Sequence, residues 1–435
     1  VSDGLIQHDW PLLDASPQAR LLEVGGMAGV WCYRLFAAIG AVALLASASP
    51  AEAGIGSRHA PSAVKAVCPG RPGVPRCAAL VRIDTRTGTP LAFPSPPGLD
   101  PPDFWSAYTL PAQTGPAWNW NGQTVAIVDA YDDPTAGADL NRYRSQFGLP
   151  PCTAANGCFV KVNQFGRHNY PSFDAQWAFE ISIDTQMVSA LCASCRIVLV
   201  ETKSNSFNQL FTGIDQAYAQ GANAISLSWG TTEFSGTGTF GSETNYDPHF
   251  QQHTPAGQNA AVTAASGDSG KLWYPAASPY VTAAGGTSLT RDSVTGTWNE
   301  AAWDDSGAGC SPYEPQPEWQ STITNITSAC ATRAGADVAF NATDLSIYDS
   351  AGYQNQTGWF AATGTSDSAP AIAAIYALAG NATSTISGSH PYAHTSSLYD
   401  ITQFANPTCP TALCGPGPGW DGPTGLGSPR GTSGF

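Results

Sequence analysis

The segment DAQWAFEISIDTQMVSALC carries two acids four residues apart, Glu180 and Asp184. On a helix such residues are neighbours, and here they fall on or beside a stripe formed by Trp177, Ile181 and Val188. Two carboxyls side by side on an apolar face cannot both ionise cheaply. One holds a proton or shares it, and the pair's apparent pKa values move apart. The same spacing also fits an exposed acidic edge. A second segment, Gly364-Thr-Ser-Asp-Ser-Ala-Pro370, leads into AIAAIYALAG. Glycine and small polar residues before an apolar run put Ser366 at or near a helix N-terminus, where free backbone N–H groups can face a developing oxyanion. A plain N-cap is the simpler reading, but GTS-x-S-x-P is more specific than a cap requires.

The third piece is Ser266-Gly-Asp-Ser-Gly270. GDSG also surrounds the nucleophile of chymotrypsin-like proteases, but those are two-barrel β proteins with a histidine in a TAAHC-like segment, and this chain has neither. None of its seven histidines stands in an HGTHVAG-like context. A serine hydrolase built on this chain therefore needs a base other than histidine. An esterase elbow, G-x-S-x-G after a strand, is absent. Near the C-terminus, Asp400-Ile401 precedes Gly417-Pro-Gly-Trp-Asp421. Two aspartates with glycine-rich backbone between them offer carboxylates and carbonyls to a hard cation such as Ca²⁺, or simply make two turns.

These residues need a scaffold. Val125–Val128 ends at Asp129 and reads as a buried strand. Residues 174–191 have helical periodicity. Arg196–Val200, Ala224–Ser228, Ala260–Ala264 and Tyr280–Ala284 read as further strands, with helices over 206–220 and 368–380. Strands alternating with helices imply a parallel sheet covered on both faces. Sites in such folds collect at the carboxyl ends of strands, where Asp129, Trp229 and Asp268 stand. One α/β domain is expected over 101–435, preceded by a Pro/Gly-rich segment over 54–100.

Composition agrees with an extracytosolic role. Of the 435 residues, 42% are apolar, enough for a full core, and only 12% are charged. A net charge of −15 gives no grip on nucleic acid, whose binding rests on Lys/Arg contacts to phosphate. It fits either solubility or work in an acidic medium. From Met27, Arg34 precedes an apolar run from Leu35 to Leu45, and Ala51-Glu52-Ala53 supplies an A-x-A cleavage site. This is a signal peptide over 27–53, too short to span a bilayer comfortably, and no later stretch is a candidate span. Residues 1–26 match no targeting segment and read as an extension from a start site placed too early. Of the eleven cysteines, Cys32 lies in the signal segment. The others form close neighbours: Cys68/Cys77, Cys152/Cys158, Cys192/Cys195, Cys310/Cys330 and Cys409/Cys414. Outside the cytosol an even count argues for disulfides, and nearest-neighbour pairing is expected.

Taken in order, ExxxD at Glu180–Asp184, SxSWG at Ser226–Gly230, SGDSG at 266–270, GTSxSxP at 364–370 and DI…GxGxDxxTGxGxP at 400–429 resemble the sedolisin family of serine-carboxyl peptidases, over roughly 101–430. The resemblance implies a subtilisin-like three-layer α/β sandwich and a secreted endopeptidase acting on proteins or peptides. Ser366 would be the nucleophile, Glu180 the base and then acid, Asp184 its orienting partner and Asp268 the oxyanion donor. Asp129, Ser228, Trp229 and Gly230 would line the cleft or extend the hydrogen-bond chain behind the acids. Asp400 and Asp421 would bind Ca²⁺ by side chain, and Ile401, Gly417 and Gly419 by backbone carbonyl. A carboxyl donates to an oxyanion only while protonated, so the expected optimum lies below about pH 5. Two features depart from the pattern: 54–100 is far too short for the family's long prodomain, and Asp367 follows the nucleophile where a small neutral residue is more common. An inactive, secreted binding protein is the alternative. No stable membrane association is expected, and a monomer is the default.

Overall fold

The computed structural model describes residues 62–71, 73–236, 241–384, 388–404 and 413–435. The expected upstream extension, the signal segment and Cys409 lie outside the described residues. Three short strands come first, β1 (Ser62–Ala66), β2 (Arg76–Cys77) and β3 (Leu80–Asp84). Strands and helices then alternate: α1 (Pro101–Ala107), β4 (Thr124–Ala130), α2 (Ala136–Gln146), β5 (Phe159–Asn163), α3 (Ala175–Leu191), β6 (Arg196–Thr202), α4 (Phe207–Ala219) and β7 (Ala224–Leu227). The second half holds β8 (Trp229–Thr232), β9 (Ala261–Ala265), β10 (Trp273–Tyr274), β11 (Thr282–Arg291), β12 (Trp298–Ala302) and β13 (Gly309–Cys310). After α5 (Thr324–Ala329) follow β14 (Ala334–Gly335), β15 (Val338–Asn341), β16 (Leu345–Asp349), β17 (Gly358–Thr363) and α6 (Thr365–Ala379).

The main sheet runs β12-β11-β9-β7-β4-β6-β5, with β15 also on β11. All its pairings are parallel except β11 with β12. The strand TVAIVDA is buried at every position, as a parallel strand covered on both faces must be. Successive side chains point to opposite faces, and β4 uses this directly. A β-carbon on Gly213 of α4 would lie 2.7 Å from Val128, so Val128 faces α4. Asp129, the next residue, points the other way, where its charge acts on Glu180 and Asp184 of α3. The order reverses at β4, between β6 on one side and β7 on the other. The carboxyl ends of β4 and β7 flank that switch point, the usual place for a site in an open α/β sheet.

Helix α3 starts where Asp174 accepts from the N–H groups of Gln176 (2.9 Å) and Trp177 (3.2 Å), a side-chain N-cap. The apolar stripe expected from its sequence is replaced by burial all round, since every residue from Trp177 to Leu191 is buried. The cause is that the sheet and the helices α2 and α6 all pack on it, so it has no solvent face. Helix α6 begins three residues before the expected 368, which draws Ser366 into its first turn. Sequence periodicity missed β5 and α2. β5 is short and carries Lys161, which is drawn in beside Glu201 at 2.9 Å. Nor did it reveal that β3 pairs with β17, which brings β1–β3 into the same compact unit as the sheet.

A buried ion pair fixes the start of β11. Arg333 contacts Asp337 through two parallel bonds of 2.8 and 2.5 Å. Asp337 in turn accepts from Ala283 N–H at 2.7 Å, and Arg333 donates to Val281 O at 3.2 Å. Both side chains are fully buried. Arg333→Ala, which leaves Asp337 buried and unpaired, should cost about 3–5 kcal/mol in urea unfolding. The double variant Arg333→Met/Asp337→Leu should cost less.

Candidate active site

Ser366 lies in the first turn of α6, behind Gly364, whose φ of 136° belongs to glycine. A side chain there would also collide, because a β-carbon would sit 2.2 Å from Ala78 O and 2.9 Å from Asp268 Oδ2. Later in the helix, Pro370 has no N–H to give to Ser366 O. The Ser228 hydroxyl stands 3.4 Å from that carbonyl and donates to Asp184 Oδ1 at 2.7 Å. A residue just after β7 thus ties the second acid of α3 to the serine's own backbone.

Glu180, Asp184, Asp129 and Ser366 are all fully buried. The Ser366 hydroxyl is close enough to Glu180 to favour its ionised form. Even so, Ser366 Oγ and both Glu180 oxygens have no partner in hydrogen-bond geometry among the described residues. Burial pushes Glu180 well above the ordinary carboxyl range, and the neighbouring charges of Asp184 and Asp129 push it further. Asp184 is raised in the same direction, by burial and then by Asp129. Asp129 itself is pushed up to about 8 by burial, with neither oxygen paired. Trp229, the next residue of SxSWG, uses its indole N–H on Val128 O at 2.7 Å, which locks the backbone beside Asp129. Gly230 sits in β8 against Trp273 and Tyr274, with 2.7 Å between its missing β-carbon and Tyr274 O.

Asp268 follows β9 and is oriented by Thr365, a residue quoted within GTSxSxP but given no role from sequence. The N–H and hydroxyl of Thr365 both donate to Asp268 Oδ1 at 2.8 Å, while the same hydroxyl accepts from Gly267 N–H at 3.1 Å. With Oδ1 held as a double acceptor, a proton on Asp268 belongs on Oδ2, the oxygen that faces Gly364. Burial pushes Asp268 up to about 7, against the pull of the Thr365 bonds and of Arg76. Asp367, left open by sequence, is fully buried with no partner for either oxygen. Burial and then the charges of Asp268 and Asp344 hold it well above the ordinary carboxyl range.

Of the residues expected to bind calcium, Asp400, Gly417, Gly419 and Asp421 stand together, and among the described residues no hydrogen bond joins Ile401 to them. Asp400 accepts from Gly419 N–H at 3.0 Å and Asp421 from Gly417 N–H at 3.2 Å. Asp421 also accepts from Thr424 at 3.0 and 2.8 Å. Asp421 is fully buried and lies within electrostatic reach of Asp400. Its partners are neutral N–H and O–H donors, so a hard cation would supply the counter-charge that the two acids lack. Paired carboxylates are the donor chemistry that such an ion takes. Four of the expected cysteine pairs stand at disulfide distance: Cys68/Cys77, Cys152/Cys158, Cys192/Cys195 and Cys310/Cys330. The fifth involves Cys409.

A mostly parallel sheet, with a serine opening one buried helix and two acids inside the next, defines a subtilisin-like α/β fold. The solved structure of a Pseudomonas sedolisin, a serine-carboxyl proteinase complexed with two molecules of pseudo-iodotyrostatin, has that fold. It superposes with a TM-score of 0.60 at 24% identity, over 77% of this chain and 96% of that one. The chain belongs to the Subtilase family (Peptidase S8), whose sequence profile matches residues 175–395. It is 28% identical to kumamolisin of Bacillus sp. (strain MN-32) over 372 residues, covering 78% of this chain and 63% of that protein. It is 26% identical to sedolisin of Pseudomonas sp. (strain 101) over 403 residues, covering 82% of this chain and 64% of that protein. The chain thus spans less than two thirds of the length of these curated relatives.

Buried acids with raised pKa values tie stability to pH. Above pH ~4 the unfolded chain releases these protons and the folded one keeps them, so stability present in acid is lost as pH rises. Asp129, at about 8, alone removes roughly 4 kcal/mol between pH 4 and pH 7. Asp349 at about 7 and Glu314 at about 8, both raised first by burial, add to it. The thermal midpoint should fall by about 10 °C or more from pH 4 to pH 7.5, as scanning calorimetry would show, and Asp129→Asn should flatten the slope.

Proposed function

We propose that this chain is a secreted, acid-acting serine-carboxyl endopeptidase that cleaves protein or peptide substrates through Ser366. The observation that carries this reading is the closeness of Ser366 to Glu180 in a buried site where, among the described residues, no histidine partners the serine and acids surround it. Glu180 takes the serine proton as Oγ attacks the substrate carbonyl, and returns it to the leaving amine. Asp184 loses its charge and shares the pair's proton, held in place by Ser228. The first ionisation of such a pair leaves one carboxylate between two groups, and Glu180 is the one beside the hydroxyl. Protonated Asp268 and the Ser366 N–H face the oxyanion.

Loss of a catalytic position would have favoured the reading as a binding protein without catalysis, and Ser366, Glu180, Asp184 and Asp268 are all present in the sequence. Secretion is supported by the expected signal segment and the cysteine pairs. Among the described residues no helix is long and apolar enough to cross a membrane. Calcium at Asp400 and Asp421, with carbonyls of Ile401, Gly417 and Gly419, would brace the loop that ends the chain.

The test is hydrolysis of a denatured protein from pH 2 to 8. Activity should be confined to acid pH and fade as pH passes about 7, the value at which Asp268 ionises and can no longer donate. Ser366→Ala and Glu180→Gln should each lower kcat by about 10³-fold or more. Asp268→Asn, which keeps a donor at all pH, should move the alkaline limb upward. A wild-type enzyme more active at pH 8 than at pH 4 would sink the mechanism. A calcium chelator should lower the thermal midpoint of the wild type and leave that of Asp421→Ala unchanged.

A further inference from the structure

Between β8 and β9 the chain makes two short turns, Glu243–Asn245 and Asp247–Gln251, and residues 242–252 are pinned to three different elements. Each pin needs a proton. At the end of β8, Glu233 stands within hydrogen-bond reach of Glu243. In the loop after β13, Glu314 stands within the same reach of Asp247. On α4, Asp215 Oδ1 lies 2.6 Å from His249 Nδ1, an ion pair only while the imidazole is protonated. Two carboxylates repel, so each acid pair closes only with a proton between its oxygens.

The surroundings fix where those protons sit. Glu243 and Glu314 are fully buried. Glu243 Oε2 accepts from Phe234 N–H at 2.6 Å, which leaves Oε1 for the proton. Among the described residues no N–H or ordinary hydroxyl donates to that oxygen, to Glu233 Oε1 or to either oxygen of Glu314. Asp247 Oδ1 accepts from the hydroxyls of Ser278 at 2.8 Å and Tyr274 at 3.2 Å, and the Ser311 hydroxyl favours the charged form of Glu233. Asp247 and Glu233 are therefore the acceptors of their pairs, with Glu314 and Glu243 as donors. Arg333 acts on Glu233 and Glu314, but its guanidinium is bound to Asp337. Burial, and then the partner's charge, pushes Glu243 up to about 9 and Glu314 up to about 8. The same turns carry apolar cover. Tyr246 stacks 4.6 Å from Phe211 and 5.4 Å from Phe207, and Phe250 meets Phe211 at 5.6 Å. Phe211 in turn lies edge-on to Trp229 at 6.1 Å.

We propose that residues 242–252 are an acid latch: closed by the protons held in these three contacts, it ties the end of β8 to α4 and to the loop after β13, and it opens as pH rises. Opening returns the acids to water, where they ionise near ~4–4.5. Groups whose folded pKa values are raised give stability that is fully present below that pH and weakens above it. The loss is complete once pH passes about 8 to 9, where the closed pairs ionise as well. Between those limits each opening releases one proton per pair, so the open fraction rises about tenfold per pH unit for each pair. The His249–Asp215 ion pair lapses in the same direction. Beneath the latch lies the strand that frames the site. Thr231 and Thr232 of β8 pair with Tyr274 and Trp273, and Trp229 locks Val128 O beside Asp129. The latch thus joins pH to the frame of the site through packing, apart from the titration of Asp268, and its opening does not depend on the peptidase reading.

The test is hydrogen exchange by mass spectrometry on the full-length chain carrying Ser366→Ala, from pH 4 to pH 8, with each rate divided by its intrinsic value. Amides of 242–252 should exchange faster by about tenfold or more per pH unit between pH 5 and pH 8, while those of α3 lag behind. Adding Glu243→Gln and Glu314→Gln, whose amides donate without titrating, should cut the rise to about threefold or less per pH unit. Glu314→Gln alone should roughly halve the slope on a logarithmic scale, and it decides the matter where the double variant does not fold. Exchange in 242–252 that keeps step with α3 at every pH, or a slope that glutamine leaves unchanged, overturns the latch.

Discussion

A carboxyl group inside a protein is tolerable while it keeps its proton and costly once it loses it. The structure gathers Glu180, Asp184, Asp129, Asp268 and Asp367 around one serine, and Arg76 is the cation that acts on Asp268. Nearly everything else at the site follows from that. The acids must be neutral or share protons, so hydroxyls and backbone groups take the place of salt bridges as their partners. Ser228 and Thr365 each hold one aspartate by one oxygen and leave the other oxygen for a proton. An arginine in either place would have pulled the acid into its charged form and removed the donor that acyl transfer needs.

The frame is built to permit this. Helix α3 can carry two acids in its middle because it is buried on every side, which raises both, whereas a surface helix would have let them ionise. The face of β4 opposite Val128 adds a third. On the other wall, Gly364 and Pro370 bracket the serine: the first lets backbone come close, the second frees Ser366 O for Ser228. Each device is local, yet Ser228 follows β7, Asp268 follows β9 and Ser366 follows β17, a strand of a second sheet, so misplacing any of these strands would scatter them. The buried Arg333–Asp337 pair, whose partners hold the start of β11, guards the neighbouring strand against such a shift.

Much of this could be read from residues alone. The strands around Val125, Ile197, Ile225 and Val262 are rich in apolar residues and small enough elsewhere to be buried on both faces, as parallel strands require, and the five ordered motifs point to the serine and the acids. Three things were not legible. The stripe on α3 was an artefact of counting only its largest apolar residues, because Ala, Ser and Thr between them are equally buried. Thr365 looked like filler because its role depends on Asp268, nearly a hundred residues away. The strands β1–β3 were hidden because residues 54–100 are rich in Pro and Gly, and because β2 is only two residues long and gains its order from β8, a partner that periodicity cannot see.

Burial of the serine and burial of its base are one fact. Ser366 and Glu180 are both shut off from water, and that burial holds Glu180 above its ordinary range. Lowering the pH cannot by itself deprotonate Glu180. What it does is protonate Asp268, the donor, and Asp129, the neighbouring acid whose charge raises both members of the Glu180–Asp184 pair. A shared proton gives Glu180 a fraction of carboxylate character over the interval between the pair's two ionisations. Water reaching the pair would lower both ionisations, because burial is what raises them most. In this arrangement acid prepares the oxyanion donor, and access of solvent to the buried pair sets how readily the base ionises.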